Sequence, residues 1–259
     1  MFLKIYFKSN ILIRNIYSLS LSCNSFFKFQ PLLFVRQFVL FFWQLRQLKM
    51  LGNNAEFKNI QYQPCLFDNL SYTPLEPTYF FQDSWAAKKI FELKPRHHYD
   101  VGSSAKTIGI LSQFVPITMI DIRPIELQLE NLFFTKGSIL KMPFEDNSIE
   151  TLSSLCVVEH IGLGRYGDEL DPFGSEKAIV ELKRVLKVGG ILILSVPVDT
   201  ENIIYFNAHR AFTRDYILSL FNDFELLEEK YQYGYELIEK YIADRGFGTG
   251  LFMFRKKGK

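Results

Sequence analysis

Four side chains near the middle of this chain have types and spacings suited to chemistry. His160 stands just after an apolar run and opens a loop of four glycines, Gly162-Leu-Gly-Arg-Tyr-Gly-Asp-Glu-Leu-Asp-Pro-Phe-Gly174. An imidazole there is placed to act as a general base, taking a proton from a hydroxyl. Arg165 can clamp a carboxylate or phosphate through its fork of donors, and Tyr166 can stack on a ring. His209, in Asn207-Ala-His-Arg210, is expected to reach the same place. Upstream, Asp121 follows Asp100 by 21 residues, the separation at which a carboxylate can accept hydrogen bonds from both hydroxyls of a ribose. Asp168 and Asp171 read as loop braces. A metal set of His160, Asp168, Asp171 and His209 is conceivable, since imidazole and carboxylate suit several divalent ions, but nothing in the spacing requires it and no metal is expected. The paired His97-His98 reads as structural.

These residues need a frame, and the pattern from Phe80 onward supplies one. Strand-like and helix-like segments alternate at the spacing of βαβ units. Helices are expected over 80–93, 105–114, 125–132, 176–186 and 213–221. Strands are expected over 97–101, 117–121, 133–135, 149–158, 191–196, 224–231 and 250–255. Gly189-Gly190 is read as the stop of the fourth helix, and Ile191-Leu-Ile-Leu-Ser-Val196 as a strand buried on both faces. The fold class is therefore α/β: a Rossmann-like, mainly parallel sheet flanked by helices. In such sheets ligands bind beyond the carboxyl ends of the strands. That rule gathers Asp100, Gly102, Ser103, Asp121, Ser138, Glu159, His160 and His209 at one cleft. The turn Asp100-Val-Gly-Ser-Ser104 has one glycine where a dinucleotide pyrophosphate loop shows two or three, so a nicotinamide dehydrogenase is not supported.

The chain divides in composition at residue 55. Seven of its 30 Lys and Arg residues, and none of its 28 Asp and Glu residues, lie in 1–55. The domains are accordingly read as a basic, aromatic N-terminal extension, 1–55, and an α/β domain, 56–259. The latter holds 23 basic against 28 acidic residues, about −5, which argues against nucleic acid as a partner because phosphate binding needs a clustered basic face. Residues 31–49 read as a basic amphipathic helix that can lie in a membrane interface, with Arg36 and Gln37 interrupting any transmembrane span. No secretory signal is evident, and Met50 is an alternative start. The three cysteines, Cys23, Cys65 and Cys156, form no Cys-x-x-Cys pair, which fits a cytoplasmic protein.

Several stretches together carry a resemblance. Asp100-Val-Gly, Ile120-Asp121, Met142-Pro-Phe-Glu-Asp-Asn-Ser, Val158-Glu-His-Ile, Glu181 through Gly190 and Ser195-Val-Pro, in that order, resemble the class I S-adenosylmethionine-dependent methyltransferases. Within them, Glu159 through Pro172, Phe206-Asn-Ala-His-Arg210 and Gly246-Phe-Gly-Thr-Gly-Leu-Phe-Met-Phe-Arg255 resemble a narrower family, domain of unknown function 268. The resemblance implies S-adenosylmethionine as cofactor. Its methionine part would lie against Asp100, Gly102 and Ser103, its ribose against Asp121 and its adenine edge near Gly137-Ser138. It implies an O-methyltransferase acting on a small-molecule or sugar acceptor, with His160, Arg165 and His209 on the acceptor side; a place in glycan biosynthesis is implied by the family's relatives alone. The reduced glycine loop suits a second reading, a methyltransferase-shaped binding or scaffold protein without catalysis.

Overall fold

The computed structural model describes residues 31–52, 56 and 59–258. Two compact units divide at Pro74/Leu75, whereas the change in composition falls at 55/56. Residues 1–30, including Cys23 and most of the basic extension, lie outside the described residues. In the first unit, helix α1 (Pro31–Met50) has no acid in its first turn and Lys49 in its last, which complements the negative end of the helix dipole. Phe34, Phe38 and Phe42 follow one another a turn apart, with ring centroids 4.9 and 6.2 Å apart. Among the described residues no helix is long and apolar enough to cross a membrane.

The second unit is an α/β sheet. Its elements are α2 (Pro77–Leu93), β1 (His98–Val101), α3 (Ala105–Leu111), β2 (Ile117–Asp121), β3 (Leu132–Lys136), β4 (Ile149–Leu155), α4 (Gly174–Val185), β5 (Leu186–Val198), β6 (Ile203–Tyr205), β7 (His209–Ala211), α5 (Arg214–Leu220), β8 (Phe224–Tyr233), β9 (Glu236–Ile238) and β10 (Gly248–Lys256). The strand order is β3-β2-β1-β4-β5-β10-β8-β9. The first five strands are parallel, and β10, β8 and β9 add antiparallel pairs. β6 and β7 form a separate hairpin.

The alternation of side chains along each strand feeds two apolar layers. Leu192, Leu194 and Phe252 pack with α4 and α5 on one face. Ile193 and Leu251 pack with Trp85, Ile90 and Ile108 of α2 and α3 on the other. Glu76 caps α2, accepting a hydrogen bond from the Tyr79 amide at 2.7 Å, and Pro77 occupies the first turn, where its missing N–H costs nothing.

Three local expectations are corrected. Residues 125–132 form no helix, because Ile125-Glu-Leu-Gln-Leu-Glu alternates with period two and offers no apolar helical stripe; Leu127 and Leu129 are exposed. Gly189-Gly190 lies inside β5. The helix ends at Val185, and the glycines instead form an irregularity where pairing with β4 shifts register. Gly189 has φ +78°, and a Cβ on Gly190 would stand 2.9 Å from the Glu150 carbonyl oxygen. α3 stops at Leu111, three residues earlier than its apolar pattern suggests.

The glycine-rich loop after β4 is closed by backbone crowding and one buried cation. A Cβ on Gly162 would meet the Asp171 carbonyl oxygen at 2.2 Å, and one on Gly174 the Ile161 carbonyl oxygen at 2.3 Å. Beneath them Arg210, 5% exposed, donates to the carbonyls of Ile161 (2.5 Å) and Asp171 (2.9 Å) and to Ser175 Oγ (3.2 Å). Hydrogen bonds from a charged donor contribute about 1.5–3 kcal/mol each. Replacing Arg210 with Met removes all three and should therefore destabilise the protein by roughly 4 kcal/mol or more, and chemical denaturation should register it as a lower midpoint with an unchanged slope.

Candidate functional site

At the carboxyl end of β1 the chain must turn sharply. Gly102 adopts φ +68°, and a Cβ there would press on Val157 Cγ1 at 3.0 Å, so glycine answers both a backbone and a packing constraint. Asp100 is fully buried. Its carboxylate accepts from the Ser103 amide (3.1 Å), Ser103 Oγ (2.6 Å) and Ser153 Oγ (2.5 Å). Ser103 Oγ in turn accepts from the Leu155 amide at 3.0 Å. Because the single Ser153 hydroxyl proton goes to Asp100, buried His98 must donate to Ser153 Oγ through Nε2, 2.9 Å away. Burial raises Asp100 to about 6, against the pull of its serine donors. The side chains of Asp100 and Ser103 thus saturate each other. Asp100 braces the turn and lies behind the cavity wall, in contrast to its expected place against a ligand.

Two adjoining cavities open over these strand ends. The smaller, about 140 Å³, has apolar walls from Ile122, Ile139, Leu140 and Val157, with Asp121 and Ser138 on its rim. The larger, about 780 Å³, takes in Ser103, Glu159, Arg165, His209 and Phe247. Gly102, Asp121, Cys156 and His160 line both. The volume of the larger cavity suits a small-molecule site. Asp121 ends β2 and accepts the Arg123 amide at 2.8 Å and Arg123 Nε at 3.4 Å, both on Oδ1; its Oδ2 has no protein partner among the described residues. Ser138 Oγ accepts from the Leu140 amide at 3.2 Å, shaping the turn that closes the small cavity.

The structure brings His160, Arg165 and His209 together. β4 ends where Cys156 takes φ +53°, and a short 3-10 turn, Val158–His160, points the next side chains into the large cavity. His160 Nδ1 lies 2.7 Å from the Ala208 carbonyl oxygen, so that nitrogen carries the proton and Nε2 keeps its lone pair. Arg165 Nη1 shares the same carbonyl at 3.0 Å. The Tyr166 ring sits 5.2 Å from both Arg123 and Arg165 guanidinium carbons. His209 packs on Tyr205 and Phe247, with ring centroids 5.1 and 5.4 Å apart, and lies 6.4 Å from His160. Asp168 accepts from the amides of Gly162 and Tyr166, and Asp171 from the Phe173 amide and Lys177; both brace the loop. Among the described residues no three metal-ligating side chains converge.

Burial governs the electrostatics of the site. Burial lowers His160 to about 4, reinforced by Arg165 and His209, and His209 is lowered by burial and Arg165. Glu159 moves the other way: burial raises it to about 8. Its Oε1 lies 3.5 Å from His160 Nε2, a contact between two neutral groups at neutral pH, and its Oε2 is buried with no hydrogen-bond partner. The sequence places Glu159 and Arg210 at the cleft, but the burial of both side chains is seen only in the fold. The informative signal for Glu159 was an acid directly after the apolar run Leu155-Cys-Val-Val158.

Residues 136–241 match the model of the family described as Caenorhabditis protein of unknown function, DUF268, the family that the motifs resemble. No curated protein matches the chain. The fold is that of class I S-adenosylmethionine-dependent methyltransferases. A Galdieria sulphuraria protein described as a sarcosine dimethylglycine methyltransferase is similar with TM-score 0.51 and 17% identity, over 68% of this chain and 85% of that one. The N-methyltransferase NodS of Bradyrhizobium japonicum WM9, solved with S-adenosyl-L-homocysteine, is similar with TM-score 0.51 and 12% identity, over 75% and 92%. The (4+2)-cyclase SpnF is similar with TM-score 0.50 and 15% identity, over 68% and 82%.

The raised Glu159 carboxyl has a consequence for stability. The folded protein binds this proton more tightly than the unfolded chain, so ionisation opposes folding. The penalty is absent below the ordinary value of 4.5, grows as pH rises toward about 8, and is constant above. Glu159→Gln should accordingly raise the thermal midpoint at pH 9 more than at pH 4.5; equal shifts at both would show that the carboxyl is not held protonated.

Proposed function

We propose that the unit Leu75–Lys259 is an S-adenosylmethionine-dependent methyltransferase acting on a hydroxyl of a small-molecule or glycan acceptor. The observation that carries this reading is Asp121. It ends the second strand with one carboxylate oxygen already paired to Arg123 and the other free, at the junction of a small apolar cavity and a larger polar one. A nucleoside has matching chemistry: ribose hydroxyls to donate to Oδ2, and a flat ring for the walls formed by Ile122, Ile139 and Leu140. Gly102, whose bare backbone borders both cavities, and Ser103 would face the rest of the cofactor, with Asp100 fixing that turn from behind. Ser138 would lie at the adenine edge.

When bound, the cofactor supplies an electrophilic methyl group. The protein's own part is to hold the acceptor in line with it, and orientation of this kind can account for a large share of rate enhancement. His160 offers a lone pair on Nε2 to the acceptor's hydroxyl. Arg165 has donors left over for an anionic group on the acceptor. His209, Tyr205 and Phe247 form an aromatic wall for a ring to lie on.

A second reading, a binding protein without methyl transfer, is favoured by the saturation of Asp100 and Ser103. The cyclase among the structural neighbours adds that this fold accommodates other chemistry. Calorimetric titration with S-adenosylhomocysteine separates the readings. Saturable binding is expected, weakened roughly 10–100-fold by Asp121→Ala, the equivalent of one charge-assisted hydrogen bond. A folded wild-type protein that binds nothing at millimolar ligand would favour the second reading.

A further inference from the structure

Two buried side-chain oxygens lack a hydrogen-bond partner among the described residues, Glu159 Oε2 and Glu176 Oε2. Glu176 already accepts from the Tyr216 hydroxyl through its other oxygen, away from the cleft. Glu159 lies on the wall of the large cavity. Leaving a carboxyl oxygen buried and unbonded works against stability, and a catalytic role is one of the few reasons for which a native structure keeps such a group.

We propose that Glu159 takes the proton released by the acceptor's hydroxyl, and that His160 is the residue that positions that hydroxyl. This rests on the methyltransferase reading of the same site. Geometry favours the division of labour. The His160 ring is held by Ala208 through Nδ1, leaving Nε2 as its one free lone pair, and Nε2 stands 3.5 Å from Glu159 Oε1. A hydroxyl bonded to His160 is thus delivered beside the carboxyl.

Chemistry favours it as well. A proton on His160 would sit beside the Arg165 guanidinium, and burial with that charge holds the imidazole near 4, a poor match for a base at neutral pH. Glu159, near 8, is a good match. The groups that face it are the Cys156 thiol, whose own value burial raises well above the usual range, the Arg165 cation, the His160 ring and, from α2, the Tyr79 hydroxyl. Of these Arg165 alone carries a charge at neutral pH, and it favours the ionised carboxylate. In the step itself a lone pair of the acceptor oxygen forms the new O–C bond as the S–C bond breaks. That bond's electron pair passes to sulfur, leaving a neutral thioether, and the O–H proton passes to the Glu159 carboxylate, whose own proton has left to solvent when the cationic cofactor bound beside it.

The test needs no known acceptor. Sinefungin carries an amine-bearing carbon in place of the methyl sulfonium, so its ammonium probes whatever faces the transferred methyl. Proton release on binding is read by calorimetry in buffers of different ionisation enthalpy, with S-adenosylhomocysteine as the reference ligand. At pH 7 the wild-type full chain should release close to one proton more with sinefungin than with the reference. That difference should vanish in Glu159→Gln, which should still bind the reference within about threefold. In the wild type alone it should fade above pH 8, where the carboxyl is already ionised. Equal release for both ligands in the wild type, or an unchanged difference in the variant, overturns the proposal. Failure of a folded wild type to bind either ligand overturns the methyltransferase reading, and this proposal with it.

Discussion

The cleft depends on one buried carboxylate. Asp100 joins the end of β1 to β4 through Ser153 and to its own turn through Ser103, and Ser103 fastens back onto β4 at the Leu155 amide. An ionised group in so apolar a place is stabilised by complete hydrogen bonding, and here two hydroxyls and an amide provide it. Because β1 and β4 are neighbours in the sheet, the arrangement fixes the relative height of both strand ends. Every other feature of the site follows: the left-handed turn at Gly102, its contact with Val157, the break of β4 at Cys156, and the short turn that delivers Glu159 and His160 to the cavity.

On the far side of the cleft the controlling factor is burial. The same exclusion of water pushes an acid up and two imidazoles down, so that Glu159, His160 and His209 are all neutral near pH 7. The one persistent charge among them is Arg165. A site of this kind favours uncharged groups near its floor and an anionic group near its rim, and ionisation of Glu159 is coupled to whatever enters.

Much of this was legible in the sequence, and the exceptions have physical causes. The run Ile191–Val196 announced a doubly buried strand because no other element tolerates six apolar residues between a glycine pair and a proline. The position of Asp121 at the end of β2, beside the cavities, was legible because the largely apolar run Ile117–Ile120 stops at it. The segment 125–132 misled because its leucines and isoleucine suggest a helix by composition while their spacing is that of an extended chain. β6 and β7 were missed because a three-residue ladder carries no periodicity. Glu159 and His160 were both legible as residues of the cleft, being the polar pair after an apolar strand; the complete burial of the acid depends on the turn after Cys156 and has no signal in the sequence. Arg210 was likewise grouped with His209 in the cleft, yet successive residues on a strand face opposite ways, and it points down into the loop's carbonyls.

That last placement links two segments nearly fifty residues apart. The loop 161–174 has its shape because Arg210 from the β6–β7 hairpin gathers its carbonyls, while His209, the next residue along, faces the ligand cavity. Loop and hairpin are therefore one inheritable module. Transplanting the loop alone onto another protein of this fold would deliver a backbone with nothing to close it, and exchanging the hairpin alone would strand a buried cation. The shape of the cavity wall can change at the outward-facing His209 and Phe247 while the inward arginine stays fixed.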